Sequence, residues 1–382
     1  HIAQAGLEGG MCYQDAQTDD ARLVLRVLQE AQALGAVAVN YLAAEELLRD
    51  STGTLRGLRV RDARDSQVHT VHCPLVVNAT GAWADRLRVQ QGARARLRPL
   101  RGSHLVLPSW RLPLAQAISW MHRQDGRPVF AIPWEGATLV GTTDLDHRED
   151  LQQEAAITPA EVRYLLGAVQ HRFPSLALTC ADIRSTFAGV RPVIDTGTAD
   201  PSQEGRDHAV WLERGLLTVT GGKLTTFGRI AQDALHMLKP LLPAPRVQAK
   251  QGSSESAVPC RAPVGTDAAL WQRLQGRYGA LATQVLACAQ PGDCSRIEGT
   301  PVYGVELRWA ARHEAVLHLD DLLLRRTRLG LLPEGGAELL HRVRLWCQPE
   351  LGWDDARWAR EVADYQTLWQ RHYSVPHEDF HG

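Results

Sequence analysis

Two places in the chain join an apolar run to glycine and then to a helical pattern. Leu75-Val76-Val77 runs into Asn78-Ala79-Thr80-Gly81, and Leu216-Leu217-Thr218-Val219-Thr220 runs into Gly221-Gly222-Lys223. A buried strand ending in a glycine turn at a helix start brings backbone N–H groups and positive potential close to a pyrophosphate or a flat ring. The chemistry on offer is dinucleotide binding, with Ala79, Thr80, Gly81, Gly221, Gly222, Lys223, Leu224 and Thr225 as candidate contacts. An ordinary βα turn has the same local pattern, and the G-x-G-x-x-G phosphate fingerprint occurs nowhere in the chain. Arg191 sits between Val190 and Pro192, and a guanidinium in so apolar a setting needs an anionic partner. That partner is either a carboxylate, Asp195 or Asp182, or a bound anion. Lys223 precedes a helix start, where a cation opposes the helix dipole, and an anionic ligand beside it relieves the mismatch. Thr225 and Thr226 either donate to that ligand or cap the helix, with capping favoured for Thr226.

The elements that must position these residues follow from periodicity. Thr18, Asp19 and Asp20 offer N-cap oxygens and first-turn charge to a helix with Val24, Val27, Leu28 and Ala31 on one face and Gly35 as its stop. Val37 to Val39 reads as a short strand. Ser51-Thr52-Gly53 reads as a hairpin turn, with Leu55 to Arg61 and Val68 to Cys73 as arms. Leu75-Val76-Val77 has the continuous apolar character of a strand buried on both faces. From Pro99 to Asp195, Leu105-Val106-Leu107, Val129 to Ile132 and Leu139 to Thr143 predict an antiparallel sheet. One helix opening at Pro159 interrupts it, with Val162, Leu165, Leu166 and Val169 as its stripe. After Gly222 comes a helix with Phe227, Ile230, Ala231, Ala234, Leu235 and Leu238 on its apolar face. Pro240, Pro243, Pro245 and Gly252-Ser253-Ser254 then read as a linker. The remainder is helical, and its Trp271, Trp309, Trp346, Trp353, Trp358 and Trp369 read as core.

Composition bounds the function. The 382 residues hold 42 Lys plus Arg against 43 Asp plus Glu, so the basic excess of a nucleic-acid binder is missing. At 44% hydrophobic and 22% charged the chain is a folded one, of two or three domains by length. No apolar run approaches the roughly 18 residues of a membrane span. The seven cysteines are scattered without a C-x-x-C pair, and the histidines form no H-E-x-x-H. This argues against a disulfide framework or a metal site and for a reducing, cytoplasmic compartment. The first residue is His1 and not Met, which reads as a processed chain or a fragment.

Several segments together carry a resemblance. YQDAQTDDARLV from Tyr13, VVNATGAW from Val76, RGSHLV from Arg101 and FAIPWEGATLVGTTD from Phe130 are followed by FAGVRP from Phe187 and TGGKLTTF from Thr220. Farther on stands RWAARHEAVLHLDDLLLRRTRLGL from Arg308. The ATG and GTTD pieces are shared across the D-amino-acid-oxidase-like flavoproteins. The combination of GVRP, GGKLTT and DDLLLRRT resembles the FAD-dependent, aerobic-type glycerol-3-phosphate dehydrogenases in particular. The resemblance runs from about Tyr13 to about Leu331. Members of that family begin with a strand and a G-x-G-x-x-G, so the chain reads as N-terminally truncated, with its first βαβ unit missing.

The resemblance implies an α/β fold. An incomplete FAD-binding Rossmann-like domain would cover residues 1–98 and 196–248. An antiparallel β-rich substrate domain, 99–195, is inserted in it, and an all-α domain spans 255–382. The implied reaction is oxidation of sn-glycerol 3-phosphate to dihydroxyacetone phosphate, with hydride passing to FAD and electrons to a quinone. Arg191 would bind substrate near the flavin and take part in catalysis. Arg206 and Lys223 would join Arg191 on the phosphate, since guanidinium forks are bidentate and permanently charged. A solvated loop charge is the other reading of Arg206. His104 is the candidate base for the C2 hydroxyl, against the reading of a satisfied core histidine. The family also implies peripheral contact with the cytoplasmic face of the inner membrane and a homodimer; no metal and no nucleic acid are expected. Two alternatives stand beside this reading: another amine or amino-acid oxidase of the superfamily, and a non-catalytic truncated remnant.

Overall fold

The computed structural model describes residues 1–198, 204–242, 261–332 and 337–376. The linker expected through Pro243, Pro245 and Gly252-Ser253-Ser254, the boundaries at 248 and 255, and Cys260 lie outside the described residues.

Helix α1 covers Asp20–Ala33, capped by the Asp19 carboxylate on the Arg22 N–H at 3.1 Å. It stops where expected, with Gly35 at φ 97°. Val37 to Val39 form no strand. The chain pairs later instead, as an antiparallel meander of β1 (Leu42–Arg49), β2 (Leu55–Asp62) and β3 (Val68–His72). The Ser51-Thr52-Gly53 turn therefore joins β1 to β2, and the arms assigned to it from sequence are β2 and β3. Asp50 holds that turn by accepting from the N–H groups of Thr52 and Thr54. Strand β1, LAAEELLR, was hidden because its charged pair breaks the period-2 alternation.

Strand β4 (Val76–Asn78) leads through a turn of 3-10 helix, Gly81–Trp83, into α2 (Ala84–Gln90). The six-stranded sheet follows: β5 (Leu97–Pro108), β6 (Ile118–Met121), β7 (Pro128–Trp134), β8 (Ala137–Gly141), β9 (Leu145–Asp146) and β10 (Ser185–Ile194). Its order is β10-β5-β8-β7-β6, with β9 also on β5. Helix α3 (Pro159–Arg172) opens with a Thr158–Glu161 capping box. Alternation along β5 decides the layers. Leu105 and Leu107 face α3, packing with Val162, Leu165, Leu166 and Val169. Val106 faces the other way, into a core made with the C-terminal helices. All three are fully buried, each a gain of roughly 1.5–3 kcal/mol over exposure.

Strands β11 (His208–Glu213) and β12 (Leu216–Gly221) form a third sheet, ordered β11-β12-β4, and α4 (Phe227–Leu238) packs on it. Strand β4 lies parallel to β12, with Thr218 opposite Asn78. Val76 is buried against Leu55, Leu87 and Leu216, but Val77 is 48% exposed. The expectation of burial on both faces fails because, among the described residues, β4 is an edge strand whose Val77 face is left uncovered. The apolar faces of α1 and α4 are likewise open at Val24, Val27, Leu28, Phe227 and Leu235.

The C-terminal part holds α5 (Ala268–Tyr278), α6 (Ala282–Ala287), α7 (Gly304–His313), a π-helical turn over Asp321–Arg326, α8 (Ala337–Leu351) and α9 (Asp355–His372). Trp271, Trp309 and Trp358 are buried core, and Trp346, Trp353 and Trp369 pack at its edge. A partly buried ionic network ties this part to the rest. Arg277 reaches Asp19 at the start of α1, Glu135 in the β7–β8 turn and Glu306 on α7, at 2.8, 3.2 and 3.1 Å. Arg273 shares Glu135 and Glu306, and Arg328 pairs with Asp19. Arg22 and Glu314, both buried, pair at 2.7 Å.

Candidate active site

The two glycine turns leave parallel strands side by side at their carboxyl ends, which is where open α/β sheets bind ligands. After β4, Asn78 fixes the turn: its side-chain amide donates to the Ala84 carbonyl, and its oxygen accepts from Thr80. Ala79 and Thr80 remain exposed, and Gly81 has φ 60°. After β12, Gly221 and Gly222 have φ 74° and 81°. A Cβ on Gly221 would stand 2.6 Å from the Asp207 carbonyl oxygen, and one on Gly222 2.6 Å from Ile230. Both positions therefore require glycine. Lys223, Leu224 and Thr225 follow in the open. Thr226 does not cap α4: its hydroxyl donates back to the Lys223 carbonyl at 3.0 Å, and the first N–H of the helix, that of Phe227, donates to the Leu224 carbonyl of the preceding 3-10 turn. The buried Thr220 hydroxyl at the end of β12 has no partner among the described residues.

The second half of the site lies on the six-stranded sheet. His104 on β5 stands opposite Phe187 on β10 and Gly141 on β8. Its ring stacks on Phe187 at 4.7 Å, and a Cβ on Gly141 would stand 2.2 Å from its Cδ2. Nδ1 is enclosed without a partner among the described residues. Burial, with the Arg191 charge nearby, pushes its pKa down to about 4. The imidazole is neutral at pH 7.

Arg191 on β10 lies over Gly102, two residues from His104 on the same face of β5. Its carboxylate partner is neither Asp195 nor Asp182. Asp195 turns back to the Gly197 N–H, and Asp182 is held by Arg111. Both lie too far along the chain from where the guanidinium folds over Gly102. The partner is Asp144, whose Oδ1 accepts from Nη1 of Arg191 at 2.9 Å. Asp144 is buried and serves three arginines: Arg127 lies at 3.1 Å and Arg206 at 3.7 Å from its Oδ2. Burial, and the charges of Arg206 and Arg127, lower the pKa of Arg191 in spite of Asp144. Three guanidiniums on one carboxylate leave an excess of two positive charges. Arg191 and Arg206 are 31% and 55% exposed, so both can reach a ligand. Lys223 makes no hydrogen bond or ion pair with this group among the described residues.

Glu161 supports the group from the opposite face of the sheet. This buried carboxylate accepts from the hydroxyls of Ser103 and Thr143 at 2.8 and 2.6 Å and pairs with Arg101 at 3.1 Å. Burial alone would raise its pKa; the hydrogen bonds of Thr143, Thr158 and Ser103, with Arg101, outweigh it and hold the group ionised. Ser103 precedes His104 and Thr143 precedes Asp144, so one carboxylate at the α3 N-terminus fixes both strands of the site.

Sequence reasoning brought Arg191, Arg206 and His104 to this face and missed Asp144, Arg127 and Glu161. The signal for Asp144 is the run Gly141-Thr142-Thr143-Asp144, in which an acid follows soon after the end of β8. Arg127 and Glu161 belong to none of the motifs read from the sequence. Among the described residues no group of His, Cys, Asp and Glu has metal-holding geometry.

Comparisons with known proteins bear on this geometry. Residues 2–232 match the family model described as FAD dependent oxidoreductase, and residues 226–358 match the C-terminal domain of alpha-glycerophosphate oxidase. The chain is 32% identical over 350 residues to an aerobic glycerol-3-phosphate dehydrogenase of Staphylococcus aureus strain USA300, covering 85% of this chain and 63% of that protein. The same figures hold for the protein of that description in strain MRSA252. The chain thus spans under two thirds of the length of these relatives. Among solved structures it is similar to the glycerol-3-phosphate dehydrogenase of Bacillus halodurans complexed with FAD. The TM-score is 0.77 at 29% identity, over 96% of this chain and 76% of that one.

Proposed function

The chain belongs to the FAD dependent oxidoreductase family, and on that footing we propose that it serves the oxidation of sn-glycerol 3-phosphate to dihydroxyacetone phosphate. The observation that carries the substrate is the Asp144 cluster. One carboxylate holds Arg127, Arg191 and Arg206 apart and leaves two charges uncompensated, the complement of a phosphate dianion. A carboxylate substrate, as in an amino-acid oxidase, would need only one of those charges.

The crevice residues fit FAD. The Gly221-Gly222 turn forbids side chains, Lys223, Leu224 and Thr225 stand exposed at the start of α4, and the buried Thr220 hydroxyl lacks a partner among the described residues. Ala79, Thr80, Gly81, Gly221, Gly222, Lys223, Leu224 and Thr225 would hold it. Bound FAD supplies the acceptor for the hydride that leaves C2 of the substrate.

The chain's own residues do the rest. Arg191 and Arg206, with Arg127 behind them, bind the phosphate and fix the glycerol backbone against β5. Lys223 adds a cation at the crevice, toward flavin or phosphate. His104, neutral at working pH, takes the C2 hydroxyl proton at Nε2 as the C2–H bond breaks, which leaves the ketone. Phe187 and Gly141 hold the ring flat in that position. Its low basicity is raised by the phosphate dianion, whose charge favours the imidazolium. The electrons then pass to a quinone. The family resemblance supports that step and peripheral attachment to the cytoplasmic membrane face; no described helix is long and apolar enough to cross a membrane.

The test is anaerobic. The protein is loaded with FAD, its 450 nm band recorded, and sn-glycerol 3-phosphate added. Bleaching with release of dihydroxyacetone phosphate supports the reading. A band bleached by an amino acid instead supports the amine-oxidase alternative, and a folded chain that takes up no FAD supports a non-catalytic role.

A further inference from the structure

A second arginine group lies at the other end of β12. Around the β1–β2 turn and the β11–β12 turn nearly every acid is committed to its own arginine. Glu45 pairs with Arg61, Glu46 with Arg59, Asp50 with Arg56 and Glu213 with Arg88, at 2.6, 3.2, 2.7 and 2.9 Å. Arg49 and Arg214 are left with no carboxylate among the described residues. Their guanidiniums nevertheless converge. Nη1 of Arg49 donates to the carbonyls of Gly53 and Arg214 at 3.0 and 2.7 Å, and Nη2 donates to the Gln91 side-chain oxygen. Nη2 of Arg214 lies 3.2 Å from where a Cβ on Gly53 would stand. Every acceptor in this arrangement is neutral.

The two cations share a cavity of about 470 Å³, lined also by Glu46, Leu47, Gln90 and Gln91. That volume is within the range of small-ligand sites. Burial and the Arg214 charge both depress the pKa of Arg49, as expected where two cations are brought together without a counter-charge. Gln91 adds a buried side-chain N–H group with no acceptor. Glu46, the one acid in the lining, is already taken by Arg59. The cavity is thus rich in donors and uncompensated in charge.

We propose that this cavity is a binding site for a phosphate-class oxyanion, gripped by the forks of Arg49 and Arg214. Arg214 precedes β12 and the Gly221-Gly222 turn follows it, so the site is a strand length, roughly 20 Å, from the crevice. It is independent of the substrate assigned above. The forks recognise the shared chemistry of free phosphate and a phosphate monoester.

The experiment is a calorimetric titration of the chain with inorganic phosphate, repeated with glycerol 2-phosphate as a monoester. The variants are Arg49→Gln, Arg214→Gln and Arg191→Gln. The expected result is a binding event weakened at least tenfold by Arg49→Gln and by Arg214→Gln but kept in Arg191→Gln. Tighter binding of the monoester at that event assigns an esterified ligand, and equal or tighter binding of inorganic phosphate assigns the free anion. Arg214 is exposed, so its variant decides alone if Arg49→Gln fails to fold. Binding that is unchanged in Arg214→Gln, or a wild-type chain whose phosphate binding disappears wholly with Arg191→Gln, overturns the proposal.

Discussion

Arg191 and Gly102 are in obligatory contact: a Cβ on Gly102 would stand 2.4 Å from Nη2 of the guanidinium and 2.7 Å from its Cζ. The glycine is there to let the cation lie flat on β5 beside His104. Gly102→Ala pushes the fork off its position without touching its charge. Losing one charge-assisted hydrogen bond costs about 1.5–3 kcal/mol, so KM for glycerol 3-phosphate rises roughly 10- to 100-fold. Steady-state kinetics check this, with a thermal melt to show that the fold survives.

Asp144 holds three cations, and its removal has a signed consequence. Asp144→Asn leaves three guanidiniums facing one another, which costs about 3 kcal/mol. Added phosphate then replaces the missing charge. The melting temperature of the variant is expected to rise more on adding phosphate than that of the wild type. Equal shifts in a fluorimetric melt would show that no anion enters the cluster.

The cluster also shows what was legible in the sequence. GVRP and the GGK turn marked Arg191 and the glycine crevice because their types are forced locally: an arginine among apolar residues, and a glycine where φ is positive. Asp144 and Arg127 needed tertiary knowledge, since only the pairing of β5 with β8 and β10, and of β7 with β8, brings them to Arg191. The sheet and α3 were readable from the β-rich runs between Pro and Gly breaks, and from the Pro159 start with its apolar stripe. Strand β1 was not, because Glu45 and Glu46 interrupt its period. Val77 misled for a related reason: an apolar run specifies what a strand can bury and not what covers it.

His104 fixes a pH dependence. Its folded pKa, about 4, is below the unfolded value of roughly 6.5, so the unfolded chain binds more protons between those values. Stability from this group is complete above about pH 6.5 and is lost as pH falls through 4. Denaturant melts across that window should show a smaller loss in His104→Phe than in the wild type. Once the substrate phosphate's own second ionisation, at about pH 6, is allowed for, the kcat/KM profile should lack a further acid limb between pH 6 and 7, where an ordinary histidine would place one.

Arg277 gathers acids from α1, the β7–β8 turn and α7. Arg277→Met strands these carboxylates, of which Glu306 is buried and Asp19 and Glu135 partly so, with too few partners. Unfolding free energy is expected to fall by about 3–5 kcal/mol. The result to look for is one lowered cooperative transition; a separate early transition would mean that this network alone joins the C-terminal helices to the rest.

The central claim is that the Asp144 cluster binds the substrate's phosphate. The most direct measurement compares KM and kcat for sn-glycerol 3-phosphate in the FAD-loaded wild type, Arg191→Gln and Arg206→Gln. Each neutralisation should raise KM at least tenfold, Arg191→Gln the more because its fork lies beside His104. Unchanged KM in both variants would contradict the assignment of this site to a phosphate.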